Sequence, residues 1–102
     1  MRGRLPRVGT YTGDGSSDNR IDLGFQPAHV RIVNITDGDK LCEIFRLEDG
    51  TTKALLINDS GSGTTDLSII SSNAPTISSR GFTSGTDASL IESAKVFYWV
   101  AF

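Results

Sequence analysis

The sequence predicts an all-β fold: a small antiparallel β-sandwich, jelly-roll-like, or a barrel, with about eight short strands. Three observations carry that expectation. Ser and Thr make up about a fifth of the 102 residues, and β-branched side chains are frequent. Asp-Gly pairs recur at Asp14-Gly15, Asp37-Gly38 and Asp49-Gly50, and this dipeptide readily adopts the positive φ angles that tight hairpin turns require. No window of about eleven residues or more sustains a 3.6-residue apolar period with a cap at its start.

The elements follow from the segments between these turn signals. Strand-length apolar stretches lie at residues 8–12, 20–23, 28–36, 40–47, 51–57, 66–71, 76–82, 88–92 and 95–102. The best-defined hairpin is centred on Asp49-Gly50, with 40–47 and 51–57 as its paired strands. Residues 87–94 are the one place for a short helix, because Leu90, Ile91 and Ala94 would share a face; a strand at 88–92 is the preferred reading. Residues 58–65 contain no apolar side chain and read as an exposed loop. Gly61-Ser62-Gly63 within it lacks the following Gly-Lys-Ser/Thr of a phosphate loop.

Charge divides the chain into a basic N-terminal arm, residues 1–8, and a single sandwich domain, residues 9–102. Arg2, Arg4 and Arg7 put +3 on the first seven residues, while the remainder carries seven basic and twelve acidic groups. Such an arm is either a solvated terminus or a contact to an acidic neighbour. The overall balance of −2 argues against a dedicated nucleic-acid binder. The first eight residues lack the apolar core of a secretory signal, and no apolar run approaches the ~20 residues of a membrane helix. Cys42 has no second cysteine to pair with.

Several strands are apolar on both faces. Val96, Tyr98, Val100 and Phe102 alternate with Phe97, Trp99 and Ala101; Leu55 and Ile57 alternate with Ala54 and Leu56. A two-sheet sandwich of this length holds one core, so one face of such a strand looks outward. It is then either capped by loops or an interaction surface. Among side chains on these strands, Phe97, Trp99 and Phe102, with Arg2, Arg4 and Arg7 of the arm, are the candidate partner contacts.

Chemistry finds little footing. His29 is the single histidine, and no Gly-x-Ser-x-Gly elbow accompanies it. A Cys42–His29 dyad would require the two to meet in space. Zinc wants three or four Cys, His or acidic ligands. Residues 14–19 begin like a calcium loop, but Asn19 stands where the turn glycine belongs and Phe25 where the bidentate Glu belongs. Asp37 and Asp39 with Glu48 and Asp49 are the nearest thing to a carboxylate pair, and solvated turn corners are the simpler reading. Tyr11, Tyr98 and Trp99 are the candidates for stacking on a sugar. The sequence therefore predicts a protein that is not an enzyme and has no cofactor, metal or small-molecule substrate.

The run Gly9-Thr10-Tyr11-Thr12-Gly13-Asp14-Gly15-Ser16, followed by Leu23-Gly24-Phe25-Gln26-Pro27 and Val30-Arg31-Ile32, resembles a segment recurring in small structural proteins of tailed bacteriophages. The other end is similar too: Gly81-Phe82-Thr83 with Gly85, and an aromatic strand closing in Ala101-Phe102. The resemblance covers about half of the chain. Gly24, Phe25, Pro27, Gly81 and Phe82 read as fold-determining, since glycine and proline let the chain turn while an aromatic anchor is planted. The resemblance implies a non-enzymatic virion component at the capsid surface, present in the host cytoplasm during assembly. A head decoration (cement) protein is the first expectation, partnered by the major capsid protein and by its own copies, commonly as trimers. A tail or adsorption-apparatus module, with or without a glycan ligand, is the alternative.

Overall fold

The computed structural model describes residues 5–59 and 63–102. Among them nine strands form two antiparallel sheets. The strands are β1 (Arg7–Thr12), β2 (Arg20–Asp22), β3 (His29–Asn34), β4 (Lys40–Arg46), β5 (Thr52–Asp59), β6 (Thr65–Ile70), β7 (Thr76–Ile77), β8 (Gly81–Thr83) and β9 (Val96–Ala101). The larger sheet has six strands in the order β1-β9-β3-β4-β5-β6, and the smaller has three in the order β2-β8-β7. The all-β sandwich expected from the sequence is the fold observed.

The turn chemistry works as the dipeptides require. Gly15, Gly38 and Gly50 all sit at positive φ, at 83°, 73° and 91°. At the β4–β5 hairpin, Gly50 N donates to the Leu47 carbonyl at 2.9 Å and Leu47 N to the Thr51 carbonyl at 2.8 Å. Asp49 Oδ1 accepts from Thr51 N at 3.0 Å, which fixes the corner.

The sheets close on one core. Val30 and Ile32 of β3, Cys42 and Ile44 of β4, Ala54 and Leu56 of β5, and Phe97, Trp99 and Ala101 of β9 point to the same side and are buried. Phe82 of β8, Leu23 just after β2 and Leu90 of the segment before β9 meet them from the other layer. The Phe82 ring packs edge-on to Trp99 at 5.3 Å between centroids, and Tyr11 stacks on Phe97 at 5.1 Å. The Tyr11 hydroxyl donates to the Leu90 carbonyl at 2.7 Å, so its polar tip is satisfied inside the core.

Three sequence expectations need correction. Residues 76–82 are a hairpin of β7 and β8, not one strand; Ser78 N donates to the Gly81 carbonyl at 2.9 Å across its turn. Residues 88–92 are not a strand: Ala88–Leu90 form a 3-10 turn, whose Ser89 amide donates to the Asp87 carboxylate as its cap. The arm is also shorter than residues 1–8, because Arg7 and Val8 belong to β1, paired with Ala101 and Val100 of β9.

Of the fold-determining residues, Gly24, Phe25 and Pro27 lie where the chain passes from the small sheet to the large one, and Gly81 and Phe82 lie on β8 within the small sheet. Gly24 has a φ of 81°, Phe25 packs against the core and Pro27 is fully buried. Gly81 is forced by close approach: a β-carbon there would run into the Ile21 carbonyl of the neighbouring strand.

Candidate partner interface

The strand register that buries one side of the six-stranded sheet leaves the other side open. Along β9 the outward residues are Val96, Tyr98 and Val100. Their cross-strand neighbours are Thr12, Thr10 and Val8 on β1 and, for Tyr98 and Val100, Val33 and Arg31 on β3. Continuing across, Leu41, Glu43 and Phe45 of β4 face Val33, Arg31 and His29, then Ile57, Leu55 and Lys53 of β5. Leu67 and Ile69 of β6 complete the row beside Ile57 and Leu55. Most of these side chains are half-buried by one another, while Val8, Leu67 and Ile69 are 59%, 65% and 58% exposed.

Thr10 and Thr12 on β1 and Lys53 on β5 make the margins of this face polar, and a charged cluster interrupts its middle. Glu43 accepts from Arg31 Nε at 2.8 Å, and its other oxygen lies 2.5 Å from His29 Nε2. The His29 ring packs edge-on to Phe45 and Phe102, with centroids 5.3 and 6.0 Å away. The carboxylate is thus held by two partners in the middle of the face, a geometry that keeps its charge matched if water is excluded. At one end of the same face, a shallow groove of about 300 Å³ runs over Val33, Leu41 and Ile57, rimmed by Arg31, Lys40 and Asp39.

The residues singled out from the sequence divide between the two faces. Phe97 and Trp99, read as partner contacts, are 0% and 6% exposed and belong to the intramolecular core. Alternation groups them correctly, yet the group that faces outward is Val96, Tyr98 and Val100. Phe102 does lie at the surface, 52% exposed. Arg7 is exposed, and its Nη1 donates to the Leu23 carbonyl at 3.2 Å. Arg2 and Arg4 lie outside the described residues, as do Gly61 and Ser62.

The remaining candidates resolve into structural roles. Cys42 points into the core while His29, on the neighbouring strand, lies on the outer face, so a Cys–His pair is not assembled. Burial pushes the Cys42 thiol up to about 12. Asp14 Oδ1 caps Ser16 N and Ser17 N at 2.9 and 2.7 Å, and Asp18 Oδ1 accepts from Gly85 N at 2.9 Å. These loop carboxylates serve the backbone, and the two amide bonds hold the Asp14 carboxyl below its ordinary value. Asp37 pairs with Lys95 and Asp39 with Lys40, at the opposite end of the β4–β5 ladder from Glu48 and Asp49. Of the aromatics considered for sugar stacking, Tyr11 and Trp99 are buried and Tyr98 lies on the outer face. Among the described residues no group of three or more His, Cys, Asp or Glu could hold a metal ion.

No family model, curated protein or solved structure matches this chain.

Proposed function

We propose that this chain is a non-enzymatic structural protein of a tailed-phage virion, a head decoration protein that binds the capsid lattice through the outer face of its large sheet. The single observation that carries the reading is that face: an apolar field spanning six strands, left uncovered by the second sheet. Six strands at ~4.8 Å spacing and ~20 Å length give roughly 600 Å² before side-chain relief is counted. That figure covers the whole face, its polar residues Thr10, Thr12, His29, Arg31, Glu43 and Lys53 included. It approaches the ~800 Å² per partner of a standard protein interface. At ~25 cal/mol per Å², burial of its apolar part favours attachment before association costs are subtracted.

The resemblance of both chain ends to small phage structural proteins supplies the kind of partner. Docking against the major capsid protein and against sister copies would cover the field, with the Arg31–Glu43–His29 cluster giving register. The basic arm of Arg2 and Arg4, with Arg7 beside it, would add contact to an acidic shell. Attachment driven by the sheet face is insensitive to added salt, whereas a contribution from the arm weakens as salt rises.

Copy number tests the proposal. Quantitative mass spectrometry of purified particles should find this chain at hundreds of copies, in stoichiometric proportion to the major capsid protein. A handful of copies per particle would place it in the tail instead, and absence from the particle would refute the virion reading altogether.

A further inference from the structure

The large sheet has two edges, and they are built differently. At β1 the chain carries Pro6, which has no amide hydrogen, and the charged Arg7, devices that discourage another strand from adding. At β6 the segment Thr65–Ile70 contains neither proline nor a basic residue, and residues 65–69 are all exposed. Its one charge, Asp66, lies on the side away from Leu67 and Ile69. A six-residue strand of this kind is a template for strand addition.

We propose that a second copy of this chain adds to that edge, β6 pairing antiparallel with its counterpart about a two-fold axis through Ser68. The two six-stranded sheets then join into one. The self-complementary order of the strand selects this register. With Ser68 opposite Ser68, Leu67 of each copy faces Ile69 of the other, so the two exposed apolar side chains gain a cross-strand partner, while Ile70, packed against its own core, stands opposite Asp66. The two Asp66 carboxylates then stand four residues apart along the strands, ~14 Å, beyond the ~10 Å reach of screened charge. Centring the axis on Asp66 would set the two carboxylates directly opposite. Centring it on Leu67 would spend Ile69 on Thr65.

The axis runs perpendicular to the sheet, so both outer faces remain on the same side. Leu67 and Ile69, the exposed margin of the field in one copy, become the middle of a field twice as wide. The edge alone buries a strip of ~20 by 10 Å, well under what a free-standing dimer needs, so the pair associates weakly in dilute solution and firmly where copies are crowded side by side. The proposal stands apart from the virion reading, because it is tested on the purified chain and its failure leaves the copy number per particle untouched.

A cysteine scan of the full chain tests the register. Residues directly opposite in an antiparallel pair have Cα atoms ~4.5–5.5 Å apart, inside the range a disulfide spans. Ser68→Cys at high protein concentration under a glutathione redox buffer should give a reducible dimer as the major species. Asp66→Cys, with its counterpart ~14 Å away, should give at least fivefold less. Leu67→Lys added to Ser68→Cys should lower the dimer yield several-fold. The native chain, with Cys42 fully buried, is the blank. Trp99 fluorescence reports that each variant is folded. A folded Ser68→Cys protein that stays monomeric overturns the proposal. So do equal yields at positions 66 and 68, or a higher yield from Tyr98→Cys on the sheet face.

Discussion

Neighbouring residues of β9 should respond to truncation in opposite ways. Phe97→Ala removes a fully buried ring that stacks on Tyr11 at 5.1 Å, leaving a cavity between the sheets. Such a deletion costs ~3–5 kcal/mol, a large part of the ~5–15 kcal/mol that holds a domain of this size together. Tyr98→Ser, one residue on, removes a half-buried ring from the outer face, where Val33 and Thr10 are its cross-strand neighbours. Each of those pairings is worth at most about 1 kcal/mol, so their loss stays below the cost of the core deletion. Trp99 is the single tryptophan and lies in the core, so its fluorescence follows unfolding in urea directly. Phe97→Ala should lower the urea midpoint by more than ~1 M and the melting temperature by at least ~12 °C. Tyr98→Ser should shift both only slightly while weakening attachment to particles. Equal destabilisation by the two substitutions would refute the assignment of inner and outer faces.

Two further expectations concern the scaffold. Gly81→Ala should destabilise about as much as a core deletion and loosen β2 from β8, because the new methyl meets the Ile21 carbonyl; hydrogen exchange of the β2 and β8 amides should report it. Asp14 and Asp49 are held below the ordinary aspartate value of 3.8 by backbone amide donors, so the folded state binds their protons less tightly than the unfolded state does. Their stabilising contribution is complete above that value and is lost as pH falls through the lower folded values. Urea midpoints should hold steady from neutral pH down to ~5 and drop below ~4, with the drop reduced in the Asp14→Asn/Asp49→Asn protein, where the amide oxygen still caps the turn but no longer titrates.

Much of this architecture is legible in the residues because its signals are local. The three Asp-Gly corners fall at turns with positive φ, and the double-faced alternation of β5 and β9 announces a sheet with more apolar surface than one core absorbs. Where a signal is missing, the expectation fails for a physical reason. The β7–β8 hairpin turns through Ser78, Ser79 and Arg80 without an Asn-Gly or Asp-Gly pair, so the strand-length stretch from Thr76 to Phe82 reads as one continuous strand. The turn at Ala88–Leu90 depends on one side-chain cap from Asp87, and Leu90 and Ile91 are equally at home in a strand.

Which face of β9 turns inward depends on long-range pairing. One trace of it was available: Gly9 sits inside β1, directly across from Trp99, and a β-carbon there would press on the indole at 2.5 Å. A glycine in a strand interior marks close approach. It identifies the Trp99 side as the crowded one, and so places Tyr98 and Val100 on the outer face.

The outer face as an attachment surface is tested most directly by hydroxyl-radical footprinting of the free chain and of the same chain on the particle. Tyr98, Leu55 and Phe45 should lose most of their labelling on the particle, while residues of the small sheet such as Ile77 should keep theirs. Equal labelling of Tyr98 in the two states, or protection confined to the small sheet, would contradict the account.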